Sequence, residues 1–326
     1  MHPLSHEKAT ARLLRRIAAG TLALALVPGL LAACGSSSKK SSGTGGAAST
    51  GPGVHKPAVT LGAKNFTEEF VLGQLYTQAL QAKGYRITLK NNIGSTEIVD
   101  KALTSGQIDA YPEYTGTILS ELAHQNTRPS TAAATFAAAK AFEKSRGFTL
   151  TQMTPFIDTD ALATKPPYAT QHGLGTVADL KKLKGAILGG PPEFQTRAQG
   201  LPGLKRVYGV TSSNITFKPL SIGLQYQALD GGQVQLADVF TTDGQLSRGG
   251  YTLLKDPKNL FGFQNVAMVI SQKVLGREGP AFLETIDAVS VHLNDEAMRR
   301  MNAAVDLDKQ SPAAVAHQFL QANRLL

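Results

Sequence analysis

The sequence predicts an α/β protein built as two similar lobes around one ligand cleft, and three observations carry that prediction. The first is residues 102–117, which read as the end of a helix, a cap at Gly106, a short strand and then a polar loop rich in tyrosine and threonine. The second is the return of the same grammar over 228–235, followed by Phe240-Thr241-Thr242-Asp243-Gly244. Ala102 and Ala228 lie 126 positions apart, and so do Tyr114 and Phe240. The third is a further pair of segments at almost that spacing. Residues 59–64 lead into a helix near Thr67 and residues 186–190 lead into one spanning Glu193 to Arg197, with Gly62 and Gly189 separated by 127 positions. Each copy therefore alternates strand and helix in the manner of a parallel sheet covered by helices. Such sheets bind ligands beyond the carboxyl ends of their strands. Both aromatic residues sit at such ends, so each lobe brings a ring to a shared cleft.

The chain opens with Lys8, Arg12, Arg15 and Arg16 ahead of an apolar run over 17–31, interrupted only by Gly20, Thr21, Pro28 and Gly29. At about 15 residues the run is shorter than the ~20 a spanning helix requires, and it reads as a signal peptide over 1–33. It closes on Leu31-Ala32-Ala33-Cys34-Gly35, which resembles the lipobox of bacterial lipoproteins. That resemblance implies cleavage before Cys34, lipid on its sulfur and amino group, and a chain anchored on the extracytoplasmic face of the cell membrane. The plainer alternative is a free thiol beside an ordinary cleavage site. Cys34 is the only cysteine, so one molecule can form no disulfide, CxxC pair or thiolate metal site. Residues 34–57 are then a flexible Ser/Gly-rich tether with too little apolar surface to fold. Removing 1–33, with four basic residues and one acid, reduces the formal charge from +9 to about +6. The remaining basic residues, such as Lys181, Lys182 and Lys184, are scattered without interleaved aromatics, which gives no nucleic-acid surface.

The folded part begins with a strand at 58–63 and a helix for which Thr67 is the expected N-cap. Phe70, Val71, Leu75, Tyr76, Ala79 and Leu80 recur at helical spacing until Gly84. Lys64 precedes that helix start, where free N–H groups already favour an anion. A strand over 86–89 and a helix opening at Gly94-Ser95-Thr96-Glu97 lead to the 102–117 element, and 118–148 reads as helical. In the second copy, Thr176 to Asp179 looks like a capping box, 186–189 a buried strand and 236–240 the strand that delivers Phe240. Glu193 and Arg197, four apart on the expected helix, are spaced to pair. After a strand at 266–270 come helices at 280–289, 295–305 and 312–323, the last capped by Ser311.

Three motifs then become specific together. They are Gly62-Ala63-Lys64-Asn65-Phe66-Thr67-Glu68, Gly94-Ser95-Thr96-Glu97 and above all the run from Gly106 to Thr117 containing Tyr111-Pro112-Glu113-Tyr114-Thr115-Gly116-Thr117. They resemble the substrate-binding proteins of osmoprotectant ABC importers for glycine betaine, choline and carnitine, and the likeness extends through Pro191 to Arg197 and Thr242-Asp243-Gly244. The resemblance implies a two-lobed, periplasmic-binding-protein-like type 2 fold. Lobe one is then 58–159 with 264–326, lobe two is 160–263, and the two crossovers form the hinge. It implies a carboxylate clamp of Lys64, Thr117 and Arg197, with Asp158 and Glu193 supporting, and an aromatic cage including Tyr114, Phe240 and Phe263. Arginine offers a planar fork for a carboxylate and lysine a point charge.

The sequence departs from the family at the cage. Where the family has Asp-Thr-Tyr-Ala-Leu, this chain has Asp158-Thr159-Asp160-Ala161-Leu162, and Phe240 and Phe263 stand where tyrosine is usual. Phenyl rings still attract a cation, at ~0.5–2 kcal/mol each. Asp160 accepts hydrogen bonds that a fully methylated ammonium cannot donate. The expected ligand is thus a small cationic or zwitterionic solute, glycine betaine or otherwise, held by a monomer that serves an ABC permease with its cytoplasmic ATPase. The alternatives are a non-betaine cation or amino-acid derivative, a sensor, or an enzyme on the same fold. His55, His124, His172, His292 and His317 stand isolated from Ser or Asp partners in any motif, so neither catalysis nor a cofactor is expected.

Overall fold

Apolar strands and amphipathic helices sort the chain into two layered sheets whose strand ends face one another. The computed structural model describes residues 51–125 and 128–326. The expected signal segment 1–33, Cys34 and the tether as far as position 50 lie outside the described residues. In chain order the strands are β1 (Val59–Gly62), β2 (Ile87–Lys90), β3 (Ala110–Tyr114), β4 (Phe148–Leu150), β5 (Asp160–Thr164), β6 (Ala186–Gly190), β7 (Ile215–Pro219), β8 (Leu236–Phe240), β9 (Thr252–Leu254) and β10 (Val266–Ser271). They form two five-stranded sheets of order β2-β1-β3-β10-β4 and β7-β6-β8-β5-β9. Position by position these are the same sheet twice, with β3 and β8 central and each ending on its aromatic residue.

Neither sheet is wholly parallel. β1 runs parallel to β2 and β3, but β10 is antiparallel to β3, and β5 is likewise antiparallel to β8. The reason lies in the crossovers. β5 and β10 are the strands entered from the other lobe, so each starts at the cleft and must run away from it. Asp160 consequently pairs with Phe240, and Val266 with Tyr114.

The Tyr111 to Tyr114 segment also corrects an expectation. It is no polar loop but the fully buried strand β3, paired through five residues with β10. Thr67 is the first helical residue rather than the cap. Phe66 takes the extended cap position of the helix Thr67–Ala82, and the Thr67 hydroxyl donates to Asp306 at 2.6 Å. The expected helix through Glu193 and Arg197 is only a short 3-10 turn, Pro192–Gln195, which leaves Arg197 beyond it. The tether is shorter than expected as well. Gly53 is buried and donates its N–H to the Lys83 carbonyl at 2.9 Å, so the chain is docked before Pro57. A Cβ at Gly53 would come within 2.2 Å of the Tyr85 nitrogen, which explains the glycine there.

The helices cover both faces of each sheet. The helix Thr67–Ala82 brings Val71, Leu72 and Leu75 against Phe282, Ile286, Met298 and Leu320 from the C-terminal helices, so the tail completes the core of the first sheet. Val99, Leu103, Ile118 and Val269 close its other face. Leu162, Leu180, Leu188, Phe194 and Leu204 form the corresponding core of the second sheet. No helix among the described residues is long and apolar enough to cross a membrane.

One close approach ties the tail to the second sheet. A Cβ on Gly244, just after β8, would meet the backbone nitrogen of Ala303 in the helix Asp295–Asp306 at 2.5 Å. Gly244→Val should therefore destabilise the fold by about 1–3 kcal/mol, as overpacking does. The check is the urea midpoint, which should fall without loss of cooperativity.

Candidate functional site

The carboxyl ends of β1 and β3 bring Lys64, Tyr114 and Thr117 to the cleft from lobe one. Lobe two supplies Asp160, Arg197, Asp238 and Phe240, and Asp158 and Gln264 come from the crossovers. Together they line a cavity with about 70 Å³ open to water centres. One water needs at least ~10–15 Å³ measured this way, so the space admits several waters or a small organic ion.

Lys64 is already neutralised inside lobe one. It is 4% exposed, and its Nζ lies 2.5 Å from Glu113 Oε1 and 3.6 Å from Glu69 Oε1, both glutamates being fully buried. The ammonium also sits 4.2 Å from the centre of the Tyr114 ring. Burial pushes the Glu69 carboxyl up to about 8 against the pull of Lys64. The Glu69 carboxyl thus holds its proton near neutral pH even beside the ammonium. Lys64 belongs to the cavity wall, but its charge is not free for a ligand.

Thr117 is buried, and both its N–H and its hydroxyl donate to Gln264 Oε1, at 2.9 and 3.2 Å. Gln264 in turn donates to Gln199 Oε1 at 3.2 Å. Arg197 meets lobe one directly: its Nη2 lies 3.3 and 3.2 Å from the two carboxylate oxygens of Glu97. The partner expected for Arg197 was Glu193, which lines the cavity without pairing with the guanidinium. A 3-10 turn does not set residues four apart on one face as an α-helix does.

The rings form a stack. Phe66 lies between Tyr114 and Phe240, with centroids 6.3 and 5.7 Å away and planes within 23°. Phe66 falls inside the Lys64 motif, but its spacing gives no sign of where its ring points. Phe263 is the exception among the expected cage residues. It lines a separate small cavity with Gly116, Leu119 and Arg128, and its neighbour Gln264 takes the place in the cleft. Asp160 does stand in the cleft wall, where burial lifts its carboxyl to about 6 while Arg197 and Arg128 oppose the rise.

Glu68 and Asp158 hold the back of the site. Glu68 accepts from the Tyr114 hydroxyl at 2.8 Å, the Thr242 hydroxyl at 2.5 Å and the Asn302 amide at 2.9 Å. Asp158 accepts the Thr242 N–H at 3.1 Å, and burial together with Glu68 raises its carboxyl well above the ordinary range. Among the described residues no group of three or more His, Cys, Asp or Glu could hold a metal ion.

Two repeated α/β lobes with charged and aromatic side chains facing across a gap are the architecture of a solute-binding protein. Residues 57–322 match the family model described as the substrate binding domain of ABC-type glycine betaine transport systems, and the chain belongs to that family. A glycine-betaine-binding protein of Pseudomonas aeruginosa is 34% identical over 276 residues, covering 82% of this chain and 88% of that protein. An ergothioneine transport permease/ergothioneine binding protein of Helicobacter pylori is 28% identical over 273 residues, 82% of this chain and 48% of that one. The crystal structure of a glycine betaine/carnitine/choline ABC transporter superposes with a TM-score of 0.66 at 27% identity, covering 82% of this chain and 99% of its own. Members of this family bind small solutes and work with a permease, and the family is not an enzyme class.

Two predictions come from these contacts. Glu97→Gln removes the ion pair between the lobes, and the free protein should then show a larger radius of gyration in small-angle scattering. An unchanged radius would mean that the pair does not hold the lobes together. The second concerns pH. Glu69 at about 8, Asp243 at about 7 and Asp160 at about 6 retain protons in the folded chain where unfolded carboxyls have lost theirs. The folded state then binds more protons, so stability is greatest at the acid end and falls as pH rises from about 4 towards about 8. Urea midpoints should drop across that window, and Glu69→Gln should flatten the decline.

Proposed function

We propose that the protein captures a small zwitterion with a cationic nitrogen, of the betaine kind, and hands it to an ABC permease when the cleft closes. The observation that carries this reading is the Arg197–Glu97 pair across the gap. A carboxylate from the protein already occupies the guanidinium fork, and a solute carboxylate exchanges for it. Because the pair is partly exposed, displacing Glu97 costs only ~0.2–1 kcal/mol. Tyr114, Phe66 and Phe240 supply the apolar, electron-rich wall for the cationic end.

The similarity to a glycine-betaine-binding protein supports the betaine class. A second reading, a cationic amino-acid derivative other than glycine betaine, is favoured by one observation: Asp160 stands in the cavity wall where the family motif has a cage tyrosine. Either solute is bound, not transformed. We further propose that the protein acts as a monomer tethered to the extracytoplasmic face of the cell membrane through lipid on Cys34 after removal of 1–33. Support for the anchor is the lipobox-like Leu31-Ala32-Ala33-Cys34 sequence.

A thermal-shift screen against betaines, choline and carnitine tests the reading. A solute bound only by the folded, closed form raises the melting temperature by mass action, by an amount equivalent to about 2.7 kcal/mol at one hundred times Kd. Arg197→Ala should abolish the shift, whereas alanine at the exposed Lys184 should leave it intact. For the anchor, Cys34→Ala should move the protein from the membrane fraction to the soluble one.

A further inference from the structure

We propose that Asp238, acting with Asp160, selects a solute whose cationic head carries N–H donors. The inference rests on the solute-binding reading above and narrows it. Asp238 lies on β8 two residues before Phe240, lines the cleft cavity and is 1% exposed. Its Oδ1 is buried without a hydrogen-bond partner. Glu113 Oε2 and Glu69 Oε1 are also buried without a partner, but those two carboxyls enclose Lys64, whereas Glu68 has three donors and Asp243 receives the Tyr226 hydroxyl and the Phe240 N–H. A buried acceptor with nothing to accept is costly unless something arrives to meet it.

The strand register shows what it would meet. Asp160 pairs with Phe240 and Leu162 with Asp238, so Asp160, Phe240 and Asp238 project from the same face of the sheet. Diagonal neighbours on adjacent strands stand ~7–8 Å apart, and here Phe240 is next to both acids, across the strands from Asp160 and two residues along from Asp238. Gly190 on β6 makes room, because a Cβ there would fall 2.9 Å from the Cβ of Asp238. A ring between two carboxyls suits a nitrogen cation twice over, through its face and through its N–H groups. A fully methylated ammonium uses the ring alone and leaves both carboxyls unmet. An ammonium with one N–H meets the ring and one carboxyl, and one with two or more N–H groups, a guanidinium or an imidazolium meets all three. Burial, with Asp160 nearby, pushes the Asp238 carboxyl well above its ordinary range.

The test is calorimetric titration of the intact protein with ligands matched in size that differ in N–H content, N,N-dimethylglycine against glycine betaine. The wild type should bind the N–H-bearing member about tenfold tighter or more, and Asp238→Asn should narrow that ratio to within about threefold. Equal or tighter binding of glycine betaine by the wild type overturns the inference and leaves the solute-binding reading standing. Failure of both ligands, and of every other betaine, to bind overturns that reading and the inference with it. A wild-type preference that persists in folded Asp238→Asn, judged by its melting curve, removes Asp238 as the cause. Should that variant not fold, Asp160→Tyr serves: it should move the ratio towards glycine betaine, and an unchanged ratio overturns the proposal.

Discussion

The carboxyl of Glu68 joins three parts of the chain that the sequence places far apart. It stands in the first turn of the helix Thr67–Ala82 and accepts hydrogen bonds from Tyr114 on the first sheet, Thr242 after the last strand residue of β8, and Asn302 in the C-terminal helices. A carboxyl taken out of water survives only when its lone pairs are met, and here both oxygens are. Because Thr242 follows Phe240 by two residues, satisfying Glu68 also fixes where Phe240 presents its ring. The stack of Tyr114, Phe66 and Phe240 is therefore held from behind by a polar network, not by ring contacts alone. Loss of any one donor would leave a buried acceptor unmet and loosen the junction between lobes.

The same junction explains why the sheets are mixed. A two-lobed protein whose chain crosses twice must deliver one strand to each sheet from the cleft side, and those strands, β5 and β10, run against their neighbours. The arrangement puts the first residue of each returning strand beside the last residue of each central strand. Asp160 thus lands beside Phe240 through connectivity, and a residue at the start of a hinge strand becomes part of the wall. On the proposed reading, the solute's cationic head is recognised beside the crossovers between the lobes.

Much of this architecture was legible in the sequence because it rests on local patterns. The 126-position repeat located β3 and β8, the capping pattern at Thr176 and Asp179 forms as a box, and Ser311 accepts the Ala314 N–H at its helix start. The segment Tyr111 to Tyr114 misled because its proline and tyrosines look like a loop until five register pairs with β10, from more than 150 positions away, override local preference. The site followed the same rule. Lys64, Tyr114, Thr117, Asp160, Arg197 and Phe240 meet in one cavity as the motifs implied. Their partners were not readable, since nothing in the spacing shows that Glu113 and Glu69 enclose Lys64 or that Arg197 reaches Glu97. Glu97 did stand in a quoted motif, and the signal available was an acid on the opposite lobe from a clamp arginine.

Acidic side chains outnumber basic ones in the cleft, the reverse of the balance over the whole chain. The sequence carries +9, yet the two cations lining the cavity, Lys64 and Arg197, are each already engaged by glutamates, while Asp158, Asp160, Glu193 and Asp238 line the same space. A simple anion would have to displace Glu97 and then remain beside several acids with nothing to offer them. A simple cation would find acids and rings but would leave the Arg197–Glu97 pair in place across the entrance. Only a solute that carries both charges can exchange its carboxylate for that of Glu97 and at the same time satisfy the acidic wall. On the proposed reading, the prior occupation of Arg197 turns a site that contains two basic residues into one that disfavours free anions, and discrimination comes as much from the contacts a wrong ligand would leave unmet as from those the right one makes.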